Sequence, residues 1–583
     1  MLSNTASPSG LTHPVAAPAD GRRAPFSWMS LRLLFMVLVA LISVLPAAYV
    51  FSRAAQATAN VVYWDEFDTA LALVLRLQDG VTPSALISEL FATNNEHRMV
   101  TSRLLFATLF ALTGTVNFSV ISAIGNATLV ALIVLLIASA GTPLRRLQLG
   151  AFLSLLLFQL QHYENFLWSG SSIDHFQVVL LAAVAMVALA RRTRRGMVVG
   201  AIFAALASFT LAHGLLTWAS GGLMLLHDRR WKALAGWGAS SALTAAVFLQ
   251  GFSTNRAHEF AGMNVDGVLQ IAAYWLSLLG AVPALGAVGS APAFGVMLLA
   301  ALVWLAANGG LRREPIAVSL AIFSVLALGL IAVGRAAESN GVMHSRYMVL
   351  GAVAWALTGF MLLVRYSATH RPLVSLGGAV IVLGGFNVTA NYLFAPQADS
   401  WIECRDRAAL RFKQHGVDGR GPFSLHPVPA HSTTLLKTAE SRGVYHMGSI
   451  CEPRSFPKAQ LSSRIVYYIE EMTVNERSAF VGGWAAIPGH LSERGQIHLV
   501  LRSEKHTYFY TTVSLSRADV AAVLKDPKTA RSGFTFAIDR DELPGENFQV
   551  GLLIASGGQA EYIMTAHRID LVGSGKALLA TGD

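Results

Sequence analysis

Charged side chains are scarce in this chain of 583 residues. Asp, Glu, Lys and Arg together make up 13% of it, about half of the share in a typical soluble domain. Hydrophobic residues account for 54%, and the mean hydropathy is +0.50. The deficit lies in the middle of the chain, where apolar runs alternate with short polar loops, whereas residues 1–27 and 397–583 resemble ordinary soluble sequence. The composition therefore predicts a membrane protein with several spans.

Several sequence motifs are missing as well. The chain contains no Walker-type phosphate loop, no Rossmann glycine fingerprint and no HExxH pair, so nothing in it indicates nucleotide hydrolysis or a zinc peptidase. Two neighbouring pairs, Glu96/His97 and His258/Glu259, offer ligands for a divalent metal but lack a diagnostic spacing. We assign no cofactor on this basis, and a divalent metal stays open as an alternative.

Basic residues outnumber acidic ones and give a net charge of +10. Their positions argue against a nucleic-acid partner, because they cluster between apolar runs, which is the positive-inside pattern of a membrane protein. The clusters are Arg22/Arg23, Arg145/Arg146, Arg191/Arg192/Arg194/Arg195, Arg229/Arg230/Lys232, Arg312/Arg313 and Arg365/Arg371. We therefore expect the membrane, and no nucleic acid, as a partner.

Placing every basic cluster on the cytoplasmic side fixes a topology. About eleven crossings satisfy it, near residues 28–51, 118–140, 147–162, 174–190, 196–212, 214–227, 233–251, 291–308, 315–334, 345–364 and 373–394. Two further apolar stretches, 99–112 and 268–287, would put arginines on the wrong side if either crossed alone, so we expect helices in the outer interface there. The arrangement in which both cross remains an alternative.

This topology predicts a multi-pass protein of the bacterial inner membrane. It comprises a disordered cytoplasmic tail at 1–27 and a membrane domain at 28–395, with a first outer loop at 52–117. The chain then continues outside the membrane.

Ionisable residues gather on the predicted outer side. The first outer loop begins with Tyr63-Trp64-Asp65-Glu66-Phe67-Asp68, whose three carboxylates are candidates for a catalytic base. The alternative is a helix cap beside an aromatic belt. Further candidates for substrate binding are Glu96, His97, Arg98, Tyr163, Glu164, Asp174 and His175. Each of these could instead anchor a helix end, but charged groups at such positions often mark a functional site.

A late loop breaks the positive-inside bias. Arg335 and Arg346 lie on the predicted outer side, together with His344 and Tyr347. Because guanidinium groups pair with phosphate in a bidentate manner, these residues are candidates for binding an anionic headgroup. Snorkelling of the two arginines to the interface is the alternative.

These features together resemble the GT-C class of integral-membrane glycosyltransferases, over roughly residues 28–395. The likeness rests on the acidic pair Asp65/Glu66 soon after the first span, on a long first outer loop with interfacial helices, and on the outer motif of Arg335, Arg346 and Tyr347. The resemblance implies transfer of a sugar, with inversion, from a polyprenyl-phosphate carrier to a cell-envelope glycan or lipid acceptor.

The resemblance also implies roles for residues. Asp65 would be the base, with Glu66 or Asp68 assisting, and Arg335 and Arg346 would hold the lipid-linked phosphate. A transporter or flippase for a lipid-linked sugar, and a glycan polymerase or ligase, remain alternatives.

The chain becomes soluble from about residue 396. We expect a helix and an irregular linker over 396–460, followed by a periplasmic β-sandwich over 461–583, because short apolar runs alternate there with Pro/Gly turns. Strands are expected near 464–469, 479–484, 496–502, 508–513, 533–538 and 548–554. The only two cysteines, Cys404 and Cys451, lie in this segment, and an oxidising compartment favours a disulfide between them.

Overall fold

The structure, a computed structural model, describes residues 28–571 apart from 58, 253–263, 338–342, 368–370, 420–423, 452, 475–477, 494, 541–542 and 557–558. The predicted cytoplasmic tail at 1–27 and the His258/Glu259 pair lie outside the described residues. A helical membrane body occupies the first two thirds of the chain, and a β-rich domain follows it.

The described part of the chain forms nineteen α-helices. They are α1 (Trp28–Ala57), α2 (Ala72–Asp79), α3 (Pro83–Leu90), α4 (Val100–Thr113), α5 (Phe118–Ser139), α6 (Pro143–Leu157), α7 (Tyr163–Leu167), α8 (Ser169–Ala190), α9 (Arg194–Ser208), α10 (Leu216–His227), α11 (Trp231–Leu249), α12 (Val265–Ala284), α13 (Ala291–Ala307), α14 (Gly310–Arg313), α15 (Pro315–Arg335), α16 (Met348–Ser367), α17 (Pro372–His415), α18 (Pro429–Ser441) and α19 (Ala518–Val523). Several begin at a side-chain cap: Asn117, Thr142 and Thr193 each accept a hydrogen bond from a backbone amide in the first turn.

Eight of the described helices are long and apolar enough to cross a membrane, which makes this a multi-pass membrane protein. Seven of them coincide with predicted spans. The predicted crossings at 147–162, 196–212 and 214–227 correspond to α6, α9 and α10, which are only 15, 15 and 12 residues long. The span expected at 233–251 corresponds to α11, which is not among the eight. By length and hydropathy, the described residues contain eight candidate spans, so the expected count of about eleven spans is not confirmed.

Helix α12 is the eighth candidate span, where the sequence predicted an interfacial helix. With 20 residues it is long enough to cross. Near its start Gln270 donates a hydrogen bond to the carbonyl oxygen of Ala336, just after α15, and near its end Val282 accepts one from Gln161, just after α6. These contacts join α12 to the ends of α15 and α6, and its length and apolar composition make it a candidate span where an interfacial helix was expected.

Helices α12 and α13 form a tight hairpin. A Cβ atom added to Gly280 would lie 1.8 Å from the carbonyl oxygen of Ala291, so only glycine permits this approach of the two backbones.

One continuous helix, α17, carries the chain out of the membrane. The sequence predicted a span ending at 394 and a separate outer helix, whereas Pro372–His415 runs unbroken for 44 residues through Pro396. At 1.5 Å per residue it is about 66 Å long, roughly twice the hydrocarbon thickness of a bilayer. The helix ends at Gly416, whose φ of +66° gives a left-handed C-cap.

The segment predicted as a linker packs closely against the first outer loop. Ala408 and Phe412 of α17 and Leu436 of α18 share a buried cluster with Phe67 and Leu71 of that loop. The segment therefore belongs to the folded outer part of the protein.

The C-terminal domain is built from two sheets. One has the order β1-β6-β5-β9-β10-β2 and the other β3-β4-β8-β7, with all pairs antiparallel except β10 with β2. The strands are β1 (Pro453–Arg454), β2 (Gln460–Leu461), β3 (Val466–Val474), β4 (Ser478–Ala486), β5 (Ile497–Arg502), β6 (Thr507–Thr511), β7 (Val513–Leu515), β8 (Gly533–Asp539), β9 (Asn547–Ser556) and β10 (Gln559–Asp570). Side chains of both sheets, among them Phe534 and Phe548, share one core. A β-rich C-terminal domain is thus confirmed.

The two cysteines both lie among the described residues and are not joined by a disulfide. The expected bridge is therefore absent from the structure. Cys404 lies half-buried on α17, and Cys451 is buried in the core of the β domain.

Candidate active site

Eight of the residues singled out in the sequence line one pocket where the first outer loop meets the ends of α8, α15 and α16. They are Asp65, Glu66, His97, Asp174, His175, Arg335, Arg346 and Tyr347. We call this the site pocket. It gathers acidic, basic and imidazole groups from five separate stretches of the chain.

Asp65 lies on the wall of the site pocket, and no hydrogen bond or ion pair of its carboxylate is found among the described residues. Only its backbone carbonyl is engaged, by the amide and hydroxyl of Thr69. The preceding residue, Trp64, has a left-handed φ of +50°, and its amide donates to the carbonyl oxygen of Leu425 at 2.8 Å. This backbone conformation, which costs about 1 kcal/mol or more, is held by the bond to Leu425 and places the backbone of Asp65 at the pocket wall.

Glu66 has a different environment, because it is buried and fully engaged. Its carboxylate accepts hydrogen bonds from the Ser169 hydroxyl, from the Gly170 amide at 2.5 Å and from the Tyr63 amide at 2.8 Å. Ser169 and Gly170 open α8, whose own N-cap residue, Trp168, makes no side-chain cap. Glu66 therefore caps α8 from the first outer loop.

Burial raises the pKa of Glu66 to about 7, against the opposing effect of its three hydrogen bonds. A Cβ atom at Gly170 would come within 3.2 Å of the Glu66 side chain, so a larger residue there would crowd the carboxylate.

Arg346 presents its guanidinium to the site pocket from the start of α16. Its amide donates to Glu164 at 2.9 Å, and its guanidinium lies 3.5 Å from the same carboxylate. The rings of Tyr347 and Trp168 lie 5.2 and 6.0 Å from the guanidinium carbon. The side chain is thus held in place, and it also interacts electrostatically with Asp65.

Arg335, at the end of α15, forms an ion pair with Glu96 at the edge of the site pocket. His97 lies beside this pair, 3.7 Å from Glu96, and its Nδ1 accepts a hydrogen bond from the Ala212 amide at 3.2 Å. The loop around His97 is shaped by left-handed residues at Asn95 and Met99.

Asp174 and His175 lie in the second turn of α8 and are both buried. Ser102 of α4 donates a hydrogen bond to Asp174. His175 contacts the carbonyl oxygen of Ser171, and its ring centre lies 6.0 Å from that of Tyr347. These two residues form the floor of the site pocket.

The other predicted site residues are placed elsewhere or beside the pocket. Glu96 and Glu164 hold the two arginines. Arg98 donates to the backbone carbonyl oxygens of Phe91, Phe248 and Gln250, which ties the loop to α11. Tyr163 packs against the main hydrophobic cluster, and His344 contacts the Tyr347 ring at 5.9 Å.

Asp68 faces away from the site pocket. Its carboxylate lies 2.8 Å from His431 and 3.7 Å from His426, in the segment before and within α18. The nearby His426 lowers the pKa of Asp68. Burial of the His426 ring acts to lower its own pKa, but the Asp68 carboxylate and the Val428 carbonyl oxygen together raise it. Asp68 thus fastens the first outer loop to the segment that precedes the β domain.

Sequence reasoning missed several lining residues. Thr69, Phe106, Gly170, Ser171 and Leu211 line the site pocket but were not singled out. Of these, Gly170 and Ser171 had a readable signal, because the run Ser169-Gly170-Ser171-Ser172 places small polar residues at the start of an apolar span.

The site pocket is narrow. Its free volume is about 60 Å³, well below the roughly 300 Å³ at which small-molecule sites begin. A larger cleft of about 590 Å³ lies between α1, α17 and the β domain, lined by residues such as Arg53, Phe456 and His498. The smaller pocket is the better candidate, because it alone collects the carboxylates and guanidinium groups described above. At this volume the pocket has room for only a few atoms unless its lining moves.

No family model, no curated protein and no solved structure matches the chain. Among the described residues, no group of three or more metal-ligating side chains is placed to hold a metal ion. The fold and the site pocket thus define a multi-pass membrane protein with a β-rich C-terminal domain, and the function must be argued from the residues themselves.

Proposed function

We propose that this protein is a membrane glycosyltransferase of the GT-C type, which moves a sugar from a polyprenyl-phosphate carrier to a glycan or lipid acceptor of the cell envelope. The observation that carries the proposal is the pairing, in one pocket, of a fixed guanidinium and a carboxylate that has no hydrogen-bond partner among the described residues. Arg346 is the first and Asp65 the second. Such a pair suits a reaction that takes a proton from a hydroxyl and releases a phosphate.

The proposed reaction is a single displacement. The acceptor oxygen attacks the anomeric carbon while its proton passes to Asp65. The bond from the anomeric carbon to the phosphate oxygen breaks, and the electron pair leaves with the polyprenyl phosphate, whose added charge Arg346 stabilises. Attack opposite the leaving group inverts the anomeric configuration. The step requires no metal, and a divalent cation is not part of the proposal.

The roles within the acidic cluster follow from their contacts. Glu66 is occupied as the cap of α8 and Asp68 as the partner of two histidines, so Asp65 is the carboxylate with capacity to accept a proton. Arg335 is paired with Glu96 at the pocket edge and would meet the donor phosphate once that pair separates.

We further propose the bacterial inner membrane as the location, with the N-terminus in the cytoplasm and the site pocket and β domain on the periplasmic side. The positive-inside distribution of arginines supports this orientation. A lipid-linked donor then reaches the site pocket from the outer leaflet, because Arg335 and Arg346 lie at the ends of candidate spans.

Sugar transfer in proteoliposomes tests the proposal. Purified wild type, Asp65→Asn and Asp79→Asn are given a panel of polyprenyl-phosphate sugars and a crude envelope acceptor. Asp79 is the matched control, since it lies in the same loop but pairs with Arg442 on the surface. We expect transfer by wild type and Asp79→Asn, and a loss of about 10²- to 10⁴-fold in Asp65→Asn.

One result would overturn the assignment of the base, and another would overturn the proposed function. Full activity of a folded Asp65→Asn protein would remove Asp65 as the base while keeping the reaction. Absence of transfer with every donor, together with movement of the lipid-linked sugar across the bilayer, would identify a transporter.

A further inference from the structure

A second cavity lies at the opposite end of the helices that carry the site pocket. Helix α15 begins just after Glu314 and ends at Arg335, whereas α16 begins just after Arg346 and contains Arg365 in its last turn. About twenty residues separate the two ends of each helix, which corresponds to roughly 30 Å, the thickness of the hydrocarbon core. The cavity therefore opens at the other face of the membrane, which the topology places in the cytoplasm.

This arginine cavity has a free volume of about 560 Å³. Three arginines and one carboxylate line it, and they come from the ends of α6, α14, α15 and α16: Arg145, Arg313, Glu314 and Arg365. The lining carries a net charge of +2 as a result.

The contacts leave that charge uncompensated within the described residues. Arg145 pairs with Glu314 at 3.0 Å. Arg365 lies over the Trp304 ring, 5.0 Å from its centre, and makes only a long contact of 3.4 Å to a carbonyl oxygen. No carboxylate among the described residues forms an ion pair with Arg313 or Arg365.

The remaining wall of the arginine cavity is largely apolar, formed by Leu305, Met361 and Val364 together with Gly310 and the polar residue Asn308. Two guanidinium groups at the edge of an apolar wall match a molecule with an anionic head and hydrocarbon chains. Guanidinium binds phosphate oxygens in a bidentate manner, and basic pockets between membrane helices are suited to acidic headgroups.

We propose that the arginine cavity is a binding site for the phosphate headgroup of an anionic phospholipid of the cytoplasmic leaflet. Arg313 and Arg365 bind the phosphate, and the acyl chains lie along Leu305, Met361 and Val364. The Arg145–Glu314 pair borders the site and fixes the starts of α6 and α15. The proposal does not depend on the sugar-transfer reaction.

Native mass spectrometry of the purified full-length protein tests this site. Wild type, the double variant Arg313→Gln/Arg365→Gln and the control Arg195→Gln are titrated with phosphatidylglycerol and with phosphatidylcholine. Arg195 is exposed at the start of α9 and does not line the cavity, so it controls for general surface charge. We expect one tightly bound phosphatidylglycerol on wild type and on Arg195→Gln, and an affinity lower by roughly thirtyfold in the double variant.

Three results would overturn the proposal. The first is binding of phosphatidylcholine to wild type as tight as that of phosphatidylglycerol. The second is the same loss of phosphatidylglycerol affinity in Arg195→Gln and in the double variant. The third is displacement of the lipid by millimolar inorganic phosphate. The last would show a free-anion site. An Arg313→Lys/Arg365→Lys variant, which retains the charge but not the bidentate geometry, should bind more tightly than the glutamine variant and less tightly than wild type, which separates loss of the site from loss of folding.

Discussion

The Glu66 carboxyl group offers a direct test of the geometry around the site pocket. The perturbation is Glu66→Gln, which keeps one oxygen for the Ser169 hydroxyl and the Gly170 amide and places an NH₂ group where the second oxygen faces the Tyr63 amide. A protonated Glu66 has the same shape, with an OH group in that position. The OH oxygen can still accept from the Tyr63 amide, whereas the NH₂ group cannot, so at acid pH the variant should be less stable than the wild type by about 1 kcal/mol.

The sign of the effect at higher pH follows from linkage. The pKa of Glu66 rises from 4.5 to about 7 in the folded protein because the group is buried. Between these two values the folded state binds a proton that the unfolded state releases, so the stability of the wild type falls as pH rises through this window. Each tenfold change in proton affinity is worth about 1.4 kcal/mol, which gives a loss of about 3 kcal/mol above pH 7.

Gln cannot titrate, so Glu66→Gln should escape this loss. We expect it to be about 1 kcal/mol less stable than the wild type near pH 4.5 and more stable than the wild type by up to about 2 kcal/mol at pH 8. Thermal unfolding of the detergent-purified proteins at both pH values measures this, with Glu89→Gln, an ion-paired carboxylate of the same loop, as the control. A variant that is less stable than the wild type at pH 8 would refute the reasoning, since it would show that the three donors outweigh burial and hold Glu66 ionised.

Two further predictions concern the outer part of the protein. Asp68→Asn removes the charge that contacts His426 and His431, so proteases should cleave the segment around α18 faster. The same segment of the wild type should lose protection as pH rises above the raised pKa of His426, because its imidazolium becomes neutral. Equal cleavage of variant and wild type at all pH values would contradict this. Because the two cysteines are not bridged, we expect the denatured protein to have the same gel mobility with and without reductant. A change in mobility on reduction that is lost in Cys404→Ser would instead show a disulfide.

Short apolar runs bounded by turn residues were sufficient to predict much of the β domain from the sequence. The strand expected at 479–484 is found as Ser478–Ala486, because its apolar run is bounded by turn residues. The strand Gln559–Asp570 was not predicted, since its sequence carries several polar residues and a register shift interrupts its pairing. Pairing with β9 and β2 decides its conformation, and no local signal reports it.

The same distinction holds for the site pocket. Ionisable residues at the ends of apolar runs could be found in the sequence, and Asp65, Arg335 and Arg346 do line one pocket. The different roles of Glu66 and Asp68 could not be predicted from the sequence, because their partners Ser169 and His431 lie 103 and 363 residues away along the chain. Two carboxylates of one short loop thus have unrelated roles that only the tertiary structure distinguishes.

Helix α17 also sets a mechanical constraint on the whole molecule. Because α17 is one continuous helix from the membrane to the β domain, a tilt or rotation of its membrane half also moves its outer half. Each residue of an α-helix adds a rotation of about 100° around the helix axis. Inserting one residue between the two halves of α17 would therefore rotate the β domain by more than a quarter turn about that axis. Insertions or deletions in α17 should therefore be tolerated when they add or remove whole helical turns, for example about seven residues for two turns. The number of residues in this helix thus determines how the β domain is oriented relative to the membrane.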